Sequence, residues 1–160
     1  LLEAVESVNY AQKQKLYKNL HQYFSGDLAG KTIAVWGLSF KPQTDDMREA
    51  SAMVLMESLW QAGAKVQAYD PEAMEECQRI YGSRDDLSLV GTKESALNGA
   101  DALVVCTEWS QFRAPDFDLI AKTLAHKVIV DGRNLYDPAL LKERGFAYYG
   151  IGRGESIKKR

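Results

Sequence analysis

The chain has 160 residues, a size that suits one domain, and 46% of them are apolar, enough to build a full core. A formal net charge of -2 argues against a nucleic-acid binder, which needs a concentrated basic surface. No apolar run reaches the length of a membrane span, and Cys77 and Cys106 form neither a CxxC pair nor a metal-spaced cluster, so a reduced, cytosolic protein is expected.

Leu1, Val5, Val8, Leu16, Leu20 and Phe24 recur at nearly helical spacing, with Ala4 and Ala11 beside them. No capping residue precedes Leu1 and the first residue is not methionine, so the chain is expected to be the C-terminal piece of something longer. The loop "SGDLAGK" ends this helix. Thr32 to Trp36 then reads as a buried strand. A helix is expected from about Arg48 to Gln61, with Ala52, Leu55, Met56, Leu59 and Trp60 facing inward and Gly63 stopping it. Thr44 or Asp45 is expected to cap its amides.

"KVQAYDP" is a second strand, "EAMEECQRIY" a short helix, and Leu87 to Val90 a brief strand. Lys93 to Asn98 makes a helical turn. Asp101 to Thr107 is apolar on both faces, as central parallel strands are. Phe117 to Leu124 is helical, Lys127 to Gly132 a strand, Pro138 to Arg144 a helix, and "FAYYGIG" a last strand. This alternation predicts an α/β fold with a doubly wound, mainly parallel, Rossmann-like sheet preceded by a long N-terminal helix. Ligands in such sheets sit beyond the carboxyl ends of the strands, which selects the loops starting at Gly37, Asp70, Thr107 and Asp131.

The first of these loops reads "GLSFKPQTDD". A dinucleotide loop carries further glycines, so that backbone amides approach the pyrophosphate. Here Phe40, Lys41 and Pro42 stand in that space, and a close backbone cradle is not expected. Lys41 offers a point charge to a phosphate and Phe40 a surface for a base or sugar. The alternative is a solvated turn lysine beside helix-start acids. Arg133 in "DGRN" faces the same rim. Its fork suits a phosphate or a uracil carbonyl; the alternative is a surface arginine paired with Asp131 or Asp137. Cys106 lies in an apolar run with no histidine nearby and reads as structural. Trp109 reads as packing, with Glu108 beside it on the rim. His21 and His126 are isolated and lack metal-like spacing.

Taken together, "LLEAVESVN", "GLSFKPQTDDMREA", "YDP", "CTEW" and "DGRN" resemble, in that order, the C-terminal domain of UDP-glucose 6-dehydrogenases. These belong to the nucleotide-sugar dehydrogenases acting on UDP-glucose, UDP-N-acetyl sugars or GDP-mannose. The resemblance implies that residues 1–24 end the helix joining the enzyme's halves and that 25–160 form the UDP-sugar-binding domain. It implies that Phe40, Lys41 and Arg133 bind the UDP-sugar. It implies that Arg48 reaches NAD held on the other domain; a local ion pair with Asp45, Asp46 or Glu49 is the alternative.

The resemblance further implies an N-terminal NAD-binding domain outside this chain, a catalytic cysteine in a glycine-rich loop upstream of "LLEAVESVN", and a homodimeric full-length enzyme. That enzyme oxidises UDP-glucose twice at C6 to UDP-glucuronate, through a thiohemiacetal and a thioester, for polysaccharide biosynthesis. No catalytic residue and no metal are assigned to the 160 residues. The competing readings are the same domain of a UDP-N-acetylhexosamine or GDP-mannose dehydrogenase, a stand-alone nucleotide-binding module, and an assembly domain pairing through its first helix.

Overall fold

The computed structural model describes residues 14–48 and 50–151. Helix α1 covers residues 14–23 and buries Leu16 and Leu20, with Phe24 just beyond it. The expected inner positions Leu1, Ala4, Val5, Val8 and Ala11 lie outside the described residues, as does Glu49.

Strand β1 (Thr32–Trp36) is followed by helix α2 (Ser51–Gln61), β2 (Lys65–Tyr69), α3 (Met74–Tyr81) and β3 (Leu87–Leu89). A 3-10 turn at Ser95–Leu97 leads to β4 (Ala102–Val105), and another at Ser110–Phe112 leads to α4 (Phe117–Thr123). Then come β5 (Val128–Asp131), α5 (Pro138–Glu143) and β6 (Ala147–Gly150). The six strands form one sheet in the order β3-β2-β1-β4-β5-β6, and every pairing is parallel. This is the 3-2-1-4-5-6 order of doubly wound nucleotide-binding sheets. The order reverses between β1 and β4, whose carboxyl ends therefore open a crevice.

The strand sequences explain the layering. Ile33 and Val35 of β1, Val104 of β4, and Val128 and Val130 of β5 point to one face. There they meet Leu16 and Leu20 of α1, Leu55, Met56 and Leu59 of α2, and Cys77 of α3. Ala34, Trp36, Leu103, Val105 and Ile129 point to the other face, against Leu97, Phe112, Ile120 of α4 and Leu141 of α5. Alternation along each strand thus feeds two cores, and the central strands are buried on both faces as their apolar runs predict. The caps of the second layer are local: Asp116 accepts from the Leu119 amide at 3.1 Å, and Asp137 accepts from the Ala139 amide at 3.0 Å with Pro138 in the first turn.

Helix α2 departs from the sequence reading. It begins at Ser51, not near Arg48, and its N-cap is Ala50 with no side-chain cap, so neither Thr44 nor Asp45 serves it. Residues before it are held in the loop instead. The Phe40 amide donates to the Asp46 carbonyl at 3.0 Å, the Thr44 hydroxyl accepts from the Asp46 amide at 3.2 Å, and the Met47 side chain is fully buried. Gly63 does follow the helix, at a φ of +86°. Trp60 is only half-buried: its indole donates to the Asp86 carbonyl at 2.9 Å, and the Arg84 guanidinium lies 4.0 Å from the ring centroid. The other expected elements are present with ends shifted by a few residues, since chain ends leave the regular ladder before the apolar pattern stops.

Candidate functional site

The connection from Gly37 to Ala50 rises from the carboxyl end of β1 at the crevice. Gly37 has a φ of +99°, and a Cβ there would lie 2.5 Å from the Thr107 hydroxyl oxygen. Only glycine lets the β1 and β4 exits run this close. From there several backbone groups are taken by side chains. The Leu38 and Ser39 amides donate to Asp70 Oδ2 at 2.7 and 3.2 Å. The Thr107 hydroxyl donates to the Ser39 carbonyl at 2.6 Å. The Ser39 hydroxyl donates to the Lys41 carbonyl at 2.8 Å.

Arg133 completes the clamp from the end of β5. Its Nη2 donates to the Phe40 carbonyl at 2.7 Å and its Nε to the Cys106 carbonyl at 3.1 Å. Glu108 Oε1 lies 3.6 Å from the same Nε, and this buried oxygen has no hydrogen bond. One guanidinium thus ties together the exits of β1, β4 and β5. Asp131 holds Arg133 in place from below: its Oδ1 accepts from the Arg133 amide at 3.0 Å, and its Oδ2 accepts from the Leu135 amide and the Tyr148 hydroxyl, each at 2.7 Å. Neither Asp131 nor Asp137 pairs with the guanidinium, so the simple surface ion pair is not what this side chain makes. No Nη1 hydrogen bond is present among the described residues, and the side chain is about one-third exposed.

The Phe40 ring is half-buried and the Lys41 side chain exposed, with Nζ 5.3 Å from the Phe40 ring centroid. Lys41 makes no ion pair among the described residues. Gln43, two residues on, holds a φ of +67°, an uncommon conformation for a residue other than glycine. Phe40, Lys41 and Arg133 therefore meet at the crevice, although they are distant in sequence.

Arg48 stands apart on the same loop. Its side chain is 88% exposed and forks onto Asp46, Nη2 to Oδ2 at 2.8 Å and Nε to Oδ1 at 3.1 Å. The Arg48 amide also donates to Asp46 Oδ1 at 2.9 Å. These hydrogen bonds hold the Asp46 carboxyl down to about 2 and raise the arginine. The local pair weighed in the sequence reading is present, with Asp46 as the partner.

Burial pushes the Cys106 thiol up to about 12 and the Cys77 thiol up to about 11, so neither is a nucleophile at neutral pH. Phe24 and Tyr23 pack edge-on against His126. Among the described residues there is no cluster of metal-ligating side chains and no helix long and apolar enough to cross a membrane.

A family model described as "UDP-glucose/GDP-mannose dehydrogenase family, UDP binding domain" matches residues 34–138, which include both halves of this clamp. The chain belongs to that family. It is 47% identical over 96% of its length to the UDP-glucose 6-dehydrogenase of Pseudomonas aeruginosa, of which it spans 34%. Among solved structures, a UDP-glucose dehydrogenase from Pyrobaculum islandicum matches 93% of the chain with a TM-score of 0.76 and 31% identity. A UDP-D-ManNAc dehydrogenase from Pyrococcus horikoshii matches 91% with a TM-score of 0.68 and 29% identity. The chain spans 31% of each of those two structures, so it is about a third of the length of the relatives it matches.

Within this UDP-glucose/GDP-mannose dehydrogenase domain, the residues that hold the crevice are ones the sequence alone does not single out. Asp70, Thr107 and Asp131 read there only as loop starts, Asp131 also as a candidate ion-pair partner of Arg133, and Ser39 carries no role. Each is at most 1% exposed. A buried acid directly after an apolar strand is the available signal, because an unpaired carboxylate is too costly to bury.

Proposed function

We propose that this chain is the UDP-sugar-binding domain of an NAD-dependent UDP-glucose 6-dehydrogenase, the enzyme that oxidises UDP-glucose to UDP-glucuronate. The observation that carries this reading is the meeting of Lys41, Phe40 and Arg133 at the switch point between β1 and β4. Lys41 supplies a mobile positive charge for the diphosphate, and the Arg133 Nη1 edge supplies directed donors. The half-buried Phe40 ring supplies an apolar wall for the nucleoside. The identity to the Pseudomonas aeruginosa enzyme favours glucose as the sugar.

NAD does not fit the β1 loop of this domain. The Leu38 and Ser39 amides, which a pyrophosphate would need, are already bonded to Asp70. The cofactor is therefore held on the partner domain of the full-length enzyme, with Arg48 reaching it from this side. With NAD bound elsewhere and both cysteines buried away from any substrate, the chain by itself is expected to perform no dehydrogenation. The full-length enzyme works as a cytoplasmic homodimer.

Calorimetry of the chain against UDP, UDP-glucose, GDP and NAD tests this. UDP and UDP-glucose are expected to bind, with GDP weaker and NAD silent. Tighter binding of GDP than UDP would move the assignment to the GDP-mannose branch, and binding of none of the four would remove the nucleotide-sugar reading.

A further inference from the structure

Asp70 directly follows strand β2, with a fully buried side chain and no cationic partner among the described residues. Its charge is met by neutral donors from three segments. Oδ2 accepts from the Leu38 amide at 2.7 Å, the Ser39 amide at 3.2 Å and the Trp109 indole at 3.1 Å. Oδ1 accepts from the Glu72 and Ala73 amides, each at 2.8 Å. The Ser39 hydroxyl also lies 3.4 Å from Oδ2, but its single hydrogen is better placed toward Lys41. A carboxylate ringed by backbone amides and an indole has the surroundings of a bound anion.

We propose that Asp70 is a built-in anion that occupies the amide seat at the end of β1, and that it acts as the positioning and specificity-determining residue of this crevice. The inference rests on the nucleotide-sugar reading for its ligand, but not for its geometry. In a dinucleotide fold, amides after β1 face the pyrophosphate, and an acid downstream takes the ribose hydroxyls. Here a strand-end acid turns inward onto the amides. Each group that would greet a dinucleotide is engaged by the other.

The backbone leading into Phe40 and Lys41 is therefore fixed from within, so those side chains project into the crevice without a ligand to order them. The Trp109 indole is fixed by the same oxygen, and Trp109 belongs to the segment whose Cys106 carbonyl anchors Arg133. One carboxylate thus aligns both walls. Phosphate recognition passes from backbone to side chains, which is why lysine and arginine can serve where glycines otherwise do.

The test uses the chain with Asp70→Ala, and with Leu103→Ala as a core substitution on the sheet that lowers stability without touching the loop. Amide and indole NMR resonances of Leu38, Ser39 and Trp109 report the seat, and UDP titration reports the crevice. Asp70→Ala should shift those three resonances and weaken UDP by at least about tenfold. Millimolar formate, a free carboxylate, should restore both, while Leu103→Ala keeps its UDP affinity and ignores formate. A folded Asp70→Ala with UDP affinity within about twofold of the parent, or with resonances unmoved by formate, overturns the proposal. If Asp70→Ala does not fold, formate during refolding must recover it, and a variant that stays unfolded in formate also overturns the built-in anion. If the parent chain binds no UDP, the nucleotide-sugar reading fails, and the resonances with their formate response still decide the role of Asp70.

Discussion

Arg133 Nη2 donates to the Phe40 carbonyl at 2.7 Å, so the candidate substrate arginine is a brace for the loop that carries the other candidate ligands. Its Nε is committed to Cys106 in the same way. Arg133→Ala is therefore expected to reduce both stability and UDP affinity. Two charge-assisted bonds on a side chain about one-third exposed contribute about 1–3 kcal/mol together, or several degrees of thermal midpoint. Arg133→Lys should fail as well, because an ammonium cannot span two carbonyls in the guanidinium plane. Parental midpoint and affinity in Arg133→Lys would contradict the brace.

Lys41 differs in kind. It is exposed and makes no ion pair among the described residues, so the fold does not depend on it. Lys41→Ala should leave the thermal midpoint within about a degree and weaken UDP by about tenfold to a hundredfold. Calorimetry and a melting curve on one sample check both halves. Unchanged UDP affinity would return Lys41 to an ordinary turn lysine.

The Arg48 fork onto Asp46 has to open if this arginine is to reach a cofactor on another domain. Such an exposed pair is a weak competitor. In the full-length enzyme, Arg48→Ala should raise the Michaelis constant for NAD and leave the dissociation constant for UDP nearly untouched. The reverse pattern would place Arg48 in the substrate site.

Asp46 also sets a pH window. Its carboxyl, ordinarily near 3.8, is held at about 2 by the Arg48 bonds. A lowered carboxylate contributes stability above its unfolded value and loses it as pH falls through the folded one. The stability that the pair contributes should therefore be full above about pH 4 and fade as pH falls from about 4 to about 2, the pair itself opening near pH 2. Carbon NMR titration of the Asp46 carboxyl should show a midpoint near 2 in the parent and a higher one in Arg48→Ala, still below the ordinary 3.8 because the residue 48 amide keeps its bond to the carboxylate. Equal midpoints would mean that the fork is absent in solution.

Burial raises both thiols, Cys106 to about 12 and Cys77 to about 11. A thiol reagent at pH 8 should modify neither in the native chain and both after denaturation. Rapid native labelling of Cys106 would reopen it as a reactive group.

Element type and order were legible along the chain because they depend on near neighbours. Runs such as "TIAVW" and "ALVV" mark strands buried on both faces, and Asp116 and Asp137 cap their helices from one residue away. Phe40, Lys41 and Arg133 were legible as crevice residues because strand ends in a parallel sheet lie on one edge. What the local pattern did not contain was the start of α2. Thr44, Asp45 and Asp46 look like a helix entrance, yet the buried Met47 side chain and the bond from Phe40 to Asp46 fold that stretch back into the loop. The use of Asp70 was likewise hidden. Its donors Leu38 and Trp109 lie 32 and 39 positions away, and they converge only because the sheet order sets β1 between β2 and β4. A sequence displays the charge of a residue but not its partners, and for a buried carboxylate the partners decide whether it binds a ligand or takes the ligand's place.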